Sequence, residues 1–334
     1  MGPLPLASMF LADLGATVTR VDRPGTATAP GAGNPMFRGR RWVELDLHDS
    51  GDRKHALSLI DRADVVLEGF RPGVMERLDL GPRECLDRNS RLIYARMTGW
   101  GSDGPLAGKA GHDINYISMT GALHAIGQRD GPPIPPLNLL GDYGGGSMLL
   151  LCGVLAALFE REHTGHGRLV EAAIVDGVAT LMSQMYYMLA DEQWTDSREA
   201  NVVDGGTPFY ATYQTRDDQY VAVGPFETKF FADLLRGLGL PDSYADRQWD
   251  KSFWPTLRRE IARCFLQRDL DDWIIHFEQF DACVTPVLTI REALTHPYNV
   301  AHGLFSDVNG FPTAVPPLKF DGERSTLSQF RQSN

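Results

Sequence analysis

The sequence lacks the features that mark secreted, membrane-spanning and nucleic-acid-binding chains. Four cysteines, Cys85, Cys152, Cys264 and Cys283, are spread over 334 residues. They form no C-x-x-C pair and sit in largely apolar stretches, so no disulfide or metal pattern is present and a cytoplasmic, reducing setting is expected. Positive charge is in deficit: 32 Lys and Arg against 43 Asp and Glu leave a net charge of −11. A local basic patch would have to grip nucleic acid or an anionic membrane against that field, so neither partner is expected. Long apolar runs are missing too. The longest, Met148 to Phe159, falls short of the ~20 residues that cross a bilayer and reads as a buried core helix. The opening Met1-Gly2-Pro3-Leu4-Pro5 has no basic segment and leads to Asp13, which argues against a secretory signal. Repeats and low-complexity tracts are absent. What is there, 43% hydrophobic content, suffices for a sizeable core, and a prior of ~150 residues per domain suggests two domains.

The first half alternates in period. An amphipathic stretch from Leu4 to Leu14 is followed by β-rich Thr17–Val21 and Trp42–Leu47, a helix-periodic Arg53–Arg62 and a strand-like Val65–Phe70. Pro72 to Leu80 reads as a short helix closed by Gly81-Pro82, and Arg91–Met97 as another strand. This α/β alternation predicts a doubly wound, mostly parallel sheet in a large domain over 1–194. A helical pattern runs from Ala172 to Trp194, and 195–208 reads as a polar connector. A smaller α+β domain is expected over 209–314, with strand Tyr220–Val223, helix Thr228–Leu238, helices around Leu257–Leu266 and Leu270–Phe280, and strand Cys283–Leu288. The tail, 315–334, is expected to pack back on the large domain.

Several segments carry candidate chemistry. Gly99-Trp100-Gly101-Ser102-Asp103-Gly104 satisfies G-x-G-x-x-G after a strand, but Pro105 follows and no apolar helix opens from it, so it reads as a turn and not a dinucleotide site. Gly144-Gly145-Gly146-Ser147 directly precedes the apolar helix from Met148, which predicts close-approaching backbone and free N–H groups at a helix start. Asp142 just before it reads, taken alone, as a capping carboxylate. His112, in Gly111-His112-Asp113-Ile114-Asn115-Tyr116, stands between a glycine-rich loop and an apolar helix. Glu227, between a strand and the Phe230-Phe231 helix, reads alone as a first-turn carboxylate.

Together the segments 111–116, Pro-Leu-Asn-Leu-Leu-Gly-Asp-Tyr-Gly-Gly-Gly-Ser at 136–147 and Val-Gly-Pro-Phe-Glu at 223–227 closely resemble α-methylacyl-CoA racemases, which have the family III CoA-transferase fold. The likeness extends to Glu68–Gly73, Tyr94–Gly101 and Asp281–Leu288. It implies that His112 and Asp142 are proton-transfer groups on opposite faces of an α-carbon, with Glu227 supporting the histidine and Asn138 the aspartate. The Asp113 N–H would hold the enolate oxygen. An α-proton beside a thioester is weakly acidic, so a base must act while preorganised donors stabilise the oxyanion; racemisation needs two such bases, and an imidazole with a carboxylate can exchange roles. For coenzyme A the resemblance offers Arg23, Arg71 and Arg77 as phosphate partners, arginine being suited by its forked donors. Leu45, Asp46, Leu47, His48, Gly69 and Phe70 would lie near the nucleotide, and Gly111, Ile114, Asn115 and Tyr116 along the substrate. It implies no separate cofactor, coenzyme A being part of an acyl-CoA substrate, no metal, and an interlocked homodimer.

This chain departs from the pattern in two places. Family members open with an apolar strand before the Gly-Pro segment, whereas Met1-Gly2-Pro3 comes first here; a sheet strand is expected to be missing, with ladder groups exposed on its neighbours. His48 stands where the family's Leu-Asp-Leu-Lys segment has lysine, which lessens phosphate attraction at neutral pH. Two other functions compete. A family III CoA-transferase would use Asp142 as a nucleophile, but the glycine-rich guard loop of such enzymes is not evident after Gly206. A catalytically silent CoA-binding protein is disfavoured by the intact His112, Asp142 and Glu227.

Overall fold

The computed structural model describes residues 2–25, 34–308 and 310–325. In chain order the elements are α1 (Pro3–Asp13), β1 (Val18–Asp22), β2 (Arg40–Glu44), α2 (Ser50–Ile60), β3 (Val65–Glu68), α3 (Val74–Arg77), α4 (Pro82–Arg88), β4 (Ile93–Thr98), α5 (Asp113–Met119) and α6 (Ala122–Ala125). A wide π-type helix, Leu139–Met148, then runs into α7 (Leu149–Thr164). After it come β5 (Arg168–Ala173), α8 (Ile174–Leu181), α9 (Ser183–Ala190), β6 (Ala211–Gln214), β7 (Tyr220–Val223), α10 (Thr228–Leu238), α11 (Trp254–Phe265), α12 (Leu270–Phe277), β8 (Val284–Pro286), α13 (Ile290–Thr295), α14 (Pro297–His302), β9 (Phe305–Val308) and β10 (Phe311–Ala314).

The chain packs as two units. The first comprises 1–122, 136–183 and 296–334, and the second 123–135 and 184–295. These boundaries differ from the expected 194/195 and 314/315 divisions. The expected connector is no loose linker: Asn201, 4% exposed, donates to the Thr195 and Ser197 carbonyls, and Asp204 accepts from the Ala200, Asn201 and Gly206 N–H groups. Arg198 ties this stretch to 123–135 by donating to the carbonyls of His124, Gln128 and Gly131. That long-range stitching is invisible to periodicity. Of the tail, 326–334 lies outside the described residues.

In the first unit the parallel strands form two sheets, β1–β2 and β3–β4–β5, and not the single doubly wound sheet expected. β4 is buried at every residue and paired parallel on both sides, as the central strand of a parallel sheet. β5 was hidden in the sequence: Ala172 and Ala173, read as the start of a helix, end this strand, and the helical pattern to 194 divides into α8 and α9. A core of Leu45, Ala56, Ile60, Met75, Leu80, Leu92 and Tyr94 packs α2 beside the strands. Because the wide helix runs into α7, the helical stretch Leu139–Thr164 is 26 residues, long and apolar enough by length and composition alone to cross a membrane, which the shorter run Met148–Phe159 did not suggest. In this unit one face of it is buried, with Leu150, Leu151, Val154 and Ala157 enclosed and its flank against β4 and β5.

The second unit is an antiparallel sheet, β6–β7–β8, faced by helices. Its core is aromatic: Phe209, Phe231, Phe265, Trp273 and Phe277 pack with Leu234, Leu235, Leu257 and Ile261. α10 and α11 each present a single apolar face to it, so the periodic sequence pattern located both within a few residues.

Candidate active site

The three strands of the second parallel sheet end on one cavity. Glu68 of β3 leads into Gly69–Pro72, Thr98 of β4 into Gly99-Trp100, and Ala173 of β5 into Ile174, and these segments line a space of about 460 Å³. Pro3 and Leu4 of α1, the loop Ala107–His112, Tyr116 and Asp142 complete the wall. Crevices at the carboxyl ends of parallel strands are where open α/β sheets bind ligands, and this volume suits a substantial organic group.

His112 and Asp142, 30 residues apart in sequence, therefore face one space. His112 is the residue before α5; its backbone N–H donates to Asn115 Oδ1 at 3.1 Å, so Asn115 fixes the loop that carries the imidazole. Asp142 is not a cap. It lies inside the wide helix, where Tyr143 N–H reaches back to the Asn138 carbonyl and Ser147 Oγ donates to the Asp142 carbonyl at 3.0 Å. Wide turns of this kind recur at functional sites because they displace side chains from regular helical positions. Burial pushes the Asp142 carboxyl above its ordinary range, opposed by the Asn138 Nδ2 hydrogen bond at 3.3 Å, reinforced by the nearby Asp113 charge and opposed again by His112.

The glycine run does not open a helix as the sequence suggested, since the helix is already formed through it. Gly145 and Gly177 instead let the wide helix and α8 touch backbone to backbone: a Cβ on Gly177 would collide with the Gly145 carbonyl, and one on Gly145 would sit 2.8 Å from the Val178 nitrogen. Gly99 serves a like purpose, leaving room for the Tyr116 ring, whose hydroxyl donates to the Gly111 carbonyl at 2.6 Å and whose edge meets Trp100.

Below the Gly69–Pro72 loop runs a row of charges that sequence reasoning missed. Glu68, Arg96 and Glu171 are register neighbours across β3, β4 and β5. Arg96 donates to Glu68 at 2.5 Å and to Glu76 at 2.6 Å, and the second Glu68 oxygen accepts the Phe70 N–H at 2.8 Å, so the buried pair anchors the loop that leads to Arg71. Burial raises the Glu68 carboxyl despite Arg96. The signal was the alternation of acid, base and acid at the same register of three strands, readable only once their pairing is known. Lys109 and Thr98 in the cavity wall were likewise not anticipated.

The other sequence candidates are dispersed. Gly69, Phe70, Arg71, Gly111 and Tyr116 line the cavity. Arg77, on α3, is exposed, as is Arg23 after β1. The Leu45 side chain is 4% exposed in the core, and the partly buried Leu47 packs against the same cluster. Asp46 is spent on the turn after β2, accepting the His48 N–H at 3.0 Å. Ile114 points outward from α5 with 45% exposure. Glu227 belongs to the second unit, where it precedes α10, exposed, its carbonyl accepting the Phe231 N–H while its side chain caps no N–H of the helix. Among the described residues no cluster of His, Cys, Asp and Glu could hold a metal ion.

The chain is similar over most of its length to known proteins. Over 317 residues the chain is 42% identical to α-methylacyl-CoA racemase of Mus musculus, covering 95% of this chain and 82% of that protein. Over 333 residues it is 41% identical to the human racemase, covering 96% and 86%. The crystal structure of Rv3272 from M. tuberculosis superposes with a TM-score of 0.80 at 27% identity, covering 98% of this chain and 92% of that one. The model of CoA-transferase family III matches residues 1–329, and the chain belongs to that family.

Proposed function

We propose that this chain is an isomerase that racemises 2-methyl-branched acyl-CoA thioesters. The observation that carries the reading is the 41–42% identity to two α-methylacyl-CoA racemases, in a chain whose His112 and Asp142 line one cavity. With the α-carbon between them, one group takes the α-proton, the C–H electron pair enters a C=C bond, and the thioester carbonyl pair moves onto oxygen. Asp113 is the first residue of α5, and its N–H, lacking a carbonyl one turn back in the helix, is suited to that oxyanion. The second group then returns a proton to the opposite face. The raised Asp142 carboxyl suits it to hold a proton as well as to take one.

Arg71 in the cavity wall, with Arg23 and Arg77, would hold the coenzyme A phosphates, and no other cofactor enters the reaction. Glu227 would support His112 across a homodimer whose site forms between the large unit of one chain and the small unit of its partner. Four free thiols, two of them exposed, suit a reducing cytoplasm.

The deciding measurement is α-deuterium uptake from D₂O into (R)- and (S)-2-methylacyl-CoA. The wild-type chain should incorporate deuterium from either enantiomer, whereas His112→Ala and Asp142→Ala should each lose racemisation by at least about 10³-fold while retaining coenzyme A binding. No uptake over a range of chain lengths would sink the reading. A covalent acyl adduct at Asp142, trapped with hydroxylamine or borohydride, would favour CoA transfer instead.

A further inference from the structure

We propose that the side chain of Asp113 is a positioning residue that braces Asp142 against His112 and keeps Asp142 able to carry a proton; this deepens the racemase reading and rests on it. Asp113 Oδ2 accepts the backbone N–H of Asp142 at 2.6 Å. Since Asp113 directly follows His112, a single hydrogen bond joins the loop bearing one proton-transfer group to the backbone bearing the other. The bond is enclosed: Asp113 is 7% exposed, and the wide helix comes this close only because residue 141 is glycine, where a Cβ would lie 2.7 Å from the Asp113 Cγ.

The second oxygen makes the carboxylate more than a clamp. Asp113 Oδ1 is buried and has no hydrogen-bond partner, and among the described residues no salt bridge includes Asp113. Its negative charge is thus left to act on its neighbours. A like charge at short range disfavours ionisation of a second carboxyl, and Asp113 is among the causes that hold Asp142 above its usual range. Among the described residues the other titratable groups about Asp142 are His112 and Tyr116 on the α5 side, with Arg71 and Lys109 in the same cavity wall; α1 and α8 contribute the apolar Pro3 and Ile174 there. A carboxyl that must be base in one direction and acid in the other is served by a neighbour that makes the two states closer in energy.

Two substitutions separate brace from charge. Asp113→Asn retains an oxygen that can accept the Asp142 N–H but removes the charge; Asp113→Ala removes both. Deuterium uptake by the wild-type chain tests the racemase reading independently. Given that uptake, kcat should fall about 100-fold in Asp113→Ala, the scale of a misplaced catalytic group, and about 10-fold in Asp113→Asn, with KM changed less than threefold in both. In the direction in which Asp142 takes the proton, the acid limb of the pH profile should move to lower pH in Asp113→Asn, because a carboxyl relieved of a like charge ionises earlier. Gly141→Ala, which presses on the same carboxylate from the other helix, should reproduce the kcat loss and gives the answer if Asp113→Ala does not fold. Wild-type kcat in Asp113→Ala or Gly141→Ala, or an Asp113→Asn acid limb that stays in place, would overturn the proposal.

Discussion

At the scale of single residues, the buried charges of the first unit are the most consequential. Glu68 is 3% exposed and Arg96 is 6% exposed, so removing one partner leaves an uncompensated charge beneath the cavity loop. Arg96→Met, which keeps apolar bulk, should cost about 3–5 kcal/mol, read by urea denaturation at neutral pH. The pH dependence has a definite sign. Burial raises the folded-state carboxyl of Glu68, and loss of Arg96 raises it further; the penalty is full above that raised value and shrinks as pH falls through it towards the unfolded glutamate range, where the native state binds the extra proton. The Arg96→Met deficit should therefore be smaller at pH 5 than at pH 7, and Glu68→Gln added to it should recover part of the loss at pH 7.

At the scale of elements, the contact between α8 and the wide helix decides where Asp142 stands. Gly→Ala in an exposed helix ordinarily gains about 1 kcal/mol, yet Gly177→Ala would drive a methyl into the Gly145 carbonyl and should lose about 1–3 kcal/mol or more by overpacking. A lowered melting temperature together with reduced kcat is the expected outcome; an unchanged or higher melting temperature would show that the two helices part without penalty. Elements with one clear apolar face were legible before folding, as α10 and strand β7 show. β5 was not, because its Ala172-Ala173 end runs directly into α8 and a short apolar run has no period of its own. The wide helix was misread for a related reason: glycine is a poor helix former in isolation, and only its seat on α8 makes the run Gly144–Gly146 helical.

At the scale of the whole molecule, the single chain leaves much apolar surface unused. α9, α13 and α14 bury none of their residues, while Ile290 is 86% exposed and Phe159, on α7, 72%. The proposed homodimer would cover part of this surface. If Glu227 of one chain serves His112 of the other, inactive His112→Ala and Glu227→Ala chains refolded together should regain up to about a quarter of wild-type activity, since one junction of a mixed dimer keeps both residues. A fully active monomer in analytical ultracentrifugation would rule that out. The α/β class and the segments that carry His112, Asp142 and Glu227 were legible in the order of the residues, because side-chain type and local period are properties of neighbouring positions. The tertiary structure decided the division of the strands between two parallel sheets, the return of 123–135 to the second unit, the Glu68–Arg96–Glu171 row and the Asp113 brace. Each depends on strand register or on a contact between distant segments, and neither leaves a local trace in the order of the residues.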